Sequence, residues 1–127
     1  MREHKYRAWD TVKKVMYSAN ELGADQETLS VDGRGFVNVS STSTRLSQFH
    51  AHLLPLEYTG LKDKNGIEGY HADIAEGYGD WVIEWNEIEG CFYLKSLVGY
   101  DKLPIRKLKE MNIIGNIYEN HELLEAK

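Results

Sequence analysis

Four residues, Asp63-Lys64-Asn65-Gly66, constrain this chain more than any others. Asn-Gly supplies the positive φ values of a tight hairpin, or of the bulge that follows a type I turn. An extended Leu56–Gly60 therefore has to fold back against Ile67–Ala75, so the middle of the chain must be antiparallel sheet. Similar punctuation recurs on both sides. Glu76-Gly-Tyr-Gly-Asp80 and Asn86–Gly90 bracket Trp81-Val-Ile-Glu-Trp85, whose rings at 81 and 85 fall on one face of a strand. Cys91-Phe-Tyr-Leu-Lys95 reads as its partner strand, and 97–102 as a further turn region.

Upstream, Lys5–Asp10 and Val15–Tyr17 form a hairpin around a polar turn. Residues 18–26 read as loop. Leu29 and Val31, returning through Asp32-Gly33 and Gly35 to Val37 and Val39, make a second hairpin. Across 40–52, Leu46, Phe49, Leu53 and Leu54 have helical spacing, which predicts a short helix or irregular segment ending before Pro55, with a strand as the rival. Pro104 opens a short helix with an apolar stripe of Ile105, Leu108 and Met111. Residues 112–118 are β-like, and Asn120 caps a last short helix. The expectation is one mainly β domain over 1–127, a small barrel or sandwich with N-terminal hairpins and two or three short helices.

A chain of 127 residues with three Trp, eight Tyr and three Phe can bury a core without disulfides or metal. Its single cysteine, Cys91, sits among aromatic and aliphatic neighbours and reads as a small core hydrophobe. No signal-like segment and no apolar run long enough to span a bilayer is present, so a soluble, cytoplasmic protein without membrane partners is expected. The net charge of −5 is uneven. Residues 1–14 carry five bases against two acids, 62–90 two bases against eight acids, and 101–110 four bases against two acids.

Few residues suggest chemistry. His50 and His52 share a face only if their segment is a strand, and spacing offers no third ligand. Asp73, Glu76, Asp80, Glu84, Glu87 and Glu89 could supply a carboxylate pair only by convergence from separate elements. Asp73 is the best single candidate, although a bond to a turn backbone accounts for it equally well. No nucleophile elbow and no phosphate-binding glycine loop is present. No catalytic residue, metal site or cofactor is assigned. Arg2, Lys5, Arg7, Lys13 and Lys14 interleave with Tyr6 and Trp9, a mixture that can bind phosphate and stack bases, and Arg106, Lys107 and Lys109 could extend it. Trp9, Trp81, Trp85, Tyr93 and Tyr118 are expected in the core.

Three phrases carry a family likeness: R-A-W-D at 7–10, T-G-L-K-D-K-N-G at 59–66, and I-G-N-I-Y-E-N-H-E-L-L at 114–124. Together they resemble the YopX family of small phage and prophage proteins. The resemblance implies a mainly β protein acting in a bacterial cytoplasm, with no catalytic residues to transfer. The chain departs from the usual family pattern at Ala72, where glycine is common, and at Ala75 and Glu57. The stretch before Asp73 also resembles the turn-to-strand entry of SH3-like barrels. On that likeness, 1–55 is an N-terminal hairpin part and 56–127 a barrel-like core part. The expected role is a non-enzymatic accessory module that binds a host or phage protein, with self-association possible in principle. The alternative is a nucleic-acid binder using the basic N-terminal hairpin, and a carboxylate-dependent enzyme stands third.

Overall fold

The computed structural model describes residues 5–24, 27–29, 36–38, 48–50, 52–120 and 122–123. The chain divides into two compact units, Lys5–Glu57 and, after it, Tyr58–Lys127. The fold is mainly β, with few and short helices.

In the first unit, β1 (Tyr6–Asp10) runs antiparallel to β2 (Val15–Tyr17) and to the start of β6 (Leu53–Lys62), with Ala8 opposite both Tyr17 and Pro55. Pro55 ends no helix here. It sits in a strand whose pairing at that point is with β1 alone among the described residues, and a strand edge tolerates a missing N–H. Ala8, Leu22 and Leu53 are buried together, with Tyr6 and Tyr17 packed against them.

Two sequence expectations fail in this unit. Residues 19–24, read as loop, form α1 (Ala19–Ala24). Its start is a reciprocal capping box. The Glu21 N–H donates to Ser18 Oγ at 3.1 Å, and the Ser18 N–H donates to Glu21 Oε1 at 3.0 Å. The helical spacing around Phe49 also misleads, because 48–50 is a strand. β3 (Glu27–Leu29), β4 (Phe36–Asn38) and β5 (Gln48–His50) form an antiparallel three-stranded sheet, with Thr28 opposite Val37 and Val37 opposite Phe49. Pairing with β4 overrides the local periodicity, as sheet context commonly does. Residues 39–47, and 30–35 where the second hairpin's turn is expected, lie outside the described residues.

In the second unit, the later half of β6 pairs with β7 (Glu68–Tyr70) across the Asp63–Gly66 turn, where Gly66 has φ +84° as its Asn-Gly dipeptide requires. β8 (Asp73–Glu76), β9 (Asp80–Asn86), β10 (Cys91–Ser96), β11 (Lys102–Pro104) and β12 (Asn112–Asn116) form one antiparallel sheet in the order β11-β10-β9-β8-β12. Strand β11 falls inside the stretch read as turn and helix start. The helix that follows, Ile105–Glu110, is 3-10 rather than α. Its stripe at 105, 108 and 111 has the three-residue spacing that a 3-10 helix repeats. Leu108 and Met111 are fully buried, and they join Ala75, Trp81, Ile83, Phe92 and Leu94 in the core.

Cross-strand register explains that core. Trp85, Ile83 and Trp81 of β9 stand opposite Phe92, Leu94 and Ser96 of β10. Period two then puts Cys91 and Tyr93 on the other face. Cys91 is accordingly exposed, not a core hydrophobe. Trp85 lies beside the turn of this hairpin and keeps 37% exposure, its ring edge-on to Phe92 at 4.9 Å. Trp9 and Trp81 are buried as expected, whereas Tyr93 and Tyr118 are half-buried.

Ala72 has φ +79° although it carries a Cβ, and it is buried. A left-handed conformation costs a non-glycine residue about 1–2 kcal/mol. Ala72→Gly relieves that strain but loses a buried methyl and frees the unfolded chain. The expected net change in stability is under about 1 kcal/mol. Ala75→Gly removes an equally buried methyl from β8, where φ is not positive, and is expected to cost about 2 kcal/mol. Denaturant midpoints of the two variants measure the strain as their difference, and equal losses contradict it.

Candidate functional site

Three aspartates are buried among the described residues: Asp10, Asp63 and Asp73, each at most 5% exposed. Each is turned onto backbone. Asp10 Oδ1 accepts the N–H groups of Val12 and Lys13 at 2.9 Å each, closing the β1–β2 turn. Its other oxygen lies 3.9 Å from His52 Nε2. Asp73 Oδ2 accepts the Tyr70 N–H at 2.8 Å. Asp63 does most. Its Oδ1 accepts from Asn65 at 2.8 Å and Ile67 at 2.9 Å, and its Oδ2 reaches Ile113 at 2.8 Å, fifty residues away. Sequence reasoning singled out Asp73 and passed over Asp63. The signal was present, since aspartate is favoured at the first position of a turn with glycine at the fourth.

Burial alone would raise the Asp63 carboxyl. The donors Ile113, Ile67 and Asn65, with Lys64 nearby, outweigh it and hold the group below the ordinary aspartate value. At Asp10 burial is again the largest influence and raises the carboxyl. The N–H groups of Lys13 and Val12, with the charges of His52 and Lys13, bring the net below the ordinary value. A folded-state value below the unfolded one means that these ionised groups stabilise the protein fully above the unfolded aspartate range. That contribution disappears as pH falls through the depressed folded values. Denaturant midpoints are expected to hold steady down to about pH 4 and then to drop. A rise in stability on acidification below that point contradicts the assignment.

The three sequence phrases thus supply turn locks. R-A-W-D provides the buried Trp9 and the Asp10 cap. T-G-L-K-D-K-N-G provides Gly60 at φ +88°, Asp63 and Gly66. In I-G-N-I-Y-E-N, Gly115 lies so close to the Asn120 side chain that a Cβ has no room, and Asn120 Oδ1 accepts the Asn116 N–H at 3.1 Å. Asn116 Oδ1 accepts from Tyr118 and Glu119 at 3.0 and 2.9 Å. Asn120 therefore closes a turn behind it with its side chain. Of the expected terminal helix, Glu122 and Leu123 are helical and the neighbouring 121 and 124–127 lie outside the described residues.

The other acidic candidates do not converge. Glu76, Glu87 and Glu89 are exposed and Asp80 is half-buried. Glu84 is half-buried. Burial and the charge of Glu84 together raise the Tyr118 phenol. His52 is placed toward Asp10, and the side chain of His50 lies outside the described residues. Among the described residues no three His, Cys, Asp or Glu side chains are grouped as metal ligands require.

The basic N-terminal set is spread out. Arg2 lies outside the described residues, and Lys5 and Arg7 are half-buried. Lys13 and Lys14 are exposed in the turn at the far end of β1 from Lys5, a strand about 16 Å long. Trp9 is 6% exposed, which leaves no face for a base to stack on. Arg106 and Lys109 are exposed, and Lys107 pairs with Glu110 at 3.5 Å.

Sequence reasoning missed one concave feature in the second unit. A groove of about 390 Å³ opens where β11 leaves β10 and turns into the 3-10 helix. Phe92, Leu103 and Ile105 give it an apolar lining, joined by Tyr93, Lys102 and Arg106. Lys102 Nζ lies 5.5 Å from the centre of the Tyr93 ring, a cation–π distance. The exposed Cys91 and Glu89 also border it. Such a lining can hold an apolar group and neutralise an anion, and it brings together no base, nucleophile and oxyanion donor.

Among the described residues no helix is long and apolar enough to cross a membrane. No curated protein matches the chain. A crystal structure of protein EF1440 from Enterococcus faecalis is similar over 98% of this chain and 99% of that one, with a TM-score of 0.66 and 25% sequence identity. The family described as YopX protein matches residues 5–125 and so takes in all three phrases. This chain belongs to the YopX family of phage and prophage proteins.

Proposed function

We propose that this protein is a non-enzymatic accessory module that binds a host or phage protein in the bacterial cytoplasm, with the second unit serving as a small SH3-like platform. One observation carries the reading. The three buried aspartates, the groups best placed for perturbed acid–base chemistry, have oxygens occupied by backbone N–H donors of adjacent turns. The groove beside β11 adds an apolar, partly cationic surface suited to recognition. Affinity purification of the full chain from phage-infected cells tests this. The expected result is one protein partner retained in near-stoichiometric amount. A chain that returns no partner and turns over a substrate contradicts it.

A second reading, nucleic-acid binding through the N-terminal hairpin, rests on the adjacent exposed Lys13 and Lys14. Gel shifts across a salt series separate it from the first, since phosphate contacts weaken steeply with ionic strength. Retention that is lost at low salt on Lys13→Glu/Lys14→Glu favours it, and no shift at low salt removes it.

A further inference from the structure

We propose that the groove between β10, β11 and the 3-10 helix takes an acidic peptide segment that bears an apolar anchor side chain. This deepens the binding-module reading and rests on it.

The argument is one of complementarity. The chain carries a net −5, and 62–90 alone hold eight acids against two bases. Yet the groove is edged by Lys102 and Arg106, neither of which has an ion-pair partner among the described residues. Two cations kept beside apolar surface on an acidic protein select for an anionic ligand. The apolar part of the site is built from Phe92, Leu103 and Ile105, with Pro104 ending the strand. About 390 Å³ accommodates one or two side chains, not a folded domain.

Backbone geometry suits an extended occupant. Strand β11 pairs with β10 only from Lys95 back to Tyr93, where it meets Pro104 and departs. Residues Cys91 and Phe92 of β10 continue beyond that point, paired with β9 on one side and bordering the groove. A peptide laid along this stretch would place alternate side chains toward the apolar lining, as strand addition does elsewhere.

Nucleic acid is the other anionic candidate, and the groove suits it less. Lys102 occupies the Tyr93 ring, the half-buried aromatic that would otherwise offer a stacking face. Glu89 also stands in the lining, where it opposes the closely spaced charges of a phosphate backbone.

The test is selection of random dodecapeptides displayed against the folded full chain. It is followed by fluorescence anisotropy and backbone-amide NMR with the best peptide, and by the same NMR with a short deoxythymidine oligonucleotide. Selected peptides are expected to be rich in Asp and Glu around an apolar residue and to shift the amides of 91–93 and 102–106. Their affinity is expected to fall by about tenfold or more in Lys102→Glu/Arg106→Glu, whose amide spectrum shows it folded. Selected peptides without acid enrichment that still shift these amides overturn the acidic class while leaving the binding module standing. An oligonucleotide that shifts them instead makes the groove a nucleic-acid site. No peptide and no oligonucleotide shifting them overturns the groove as a binding site, and the partner purification then decides separately whether the module reading survives.

Discussion

Asp63→Ala is expected to cost about 3–5 kcal/mol of stability, among the largest losses available to a single polar substitution in this chain. The carboxylate accepts three backbone N–H bonds of 2.8–2.9 Å from Asn65, Ile67 and Ile113. Bonds to a charged acceptor contribute more than neutral ones, and removing the acceptor leaves partly buried donors without a partner. The loss also propagates. The same corner joins β12 through the Lys64 N–H to Met111 O at 3.1 Å and the Asn65 Nδ2 to Asn112 Oδ1 at 2.6 Å. Asp63→Asn keeps one acceptor oxygen but aims an amide N–H₂ at a backbone donor, so about 2–3 kcal/mol is expected. Denaturant unfolding gives both numbers. Hydrogen exchange should show the Ile113 amide losing protection first. An Asp63→Ala protein within about 1 kcal/mol of the parent would show that the corner is held by something else.

Leu108→Ala is the other large effect, expected at about 3–4 kcal/mol. Leu108 is the one buried side chain of the 3-10 helix and is fully covered. It packs on Gly69 so closely that a Cβ there would lie 2.5 Å from Leu108 Cδ2 and 3.3 Å from Ile83 Cδ1. This contact pins the helix to the sheet, and Ile105 and Arg106 at its start line the groove. Gly69→Ala alone should therefore be destabilising by overpacking, about 1–3 kcal/mol. Combined with Leu108→Ala, the new methyl enters the space that the leucine left. The double variant should fall short of the summed losses by at least about 1 kcal/mol. Additive losses would mean that residues 69 and 108 do not meet as described.

The turns were the legible part of this chain, because their chemistry is local. Asn65-Gly66 and Asn86–Gly90 announce positive φ and side-chain-to-backbone bonds whatever surrounds them. The stripe at 105, 108 and 111 was legible for the same reason, although its three-residue spacing pointed to 3-10 rather than α geometry. Helix α1 was equally local and was overlooked, since Ser18 and Glu21 stand at capping-box spacing in a segment otherwise rich in Asn, Gly and Asp. Strand β5 was not legible, because Phe49 obeys its partner Val37 rather than its neighbours in sequence. Cys91 was misplaced because hydrophobic flanks suggested burial, while register with Asn86 fixed which face it takes. The groove could not be read at all. It lies where β11 separates from β10 at Pro104, which brings Lys102, Arg106 and Phe92 into one lining.

Asp63 also shows why acid-rich sequence is a poor guide to chemistry here. An aspartate recruited by turn backbone is held ionised, whereas a general acid needs its carboxyl raised toward neutrality. A carboxyl-carbon NMR titration of Asp63 in the folded protein discriminates between these directly. The account predicts a midpoint below that of ordinary aspartate, with the Asn65, Ile67 and Ile113 amide protons moving in step with the carboxyl. A midpoint shifted upward, or amide protons indifferent to it, would contradict the reading of this protein as a scaffold for binding.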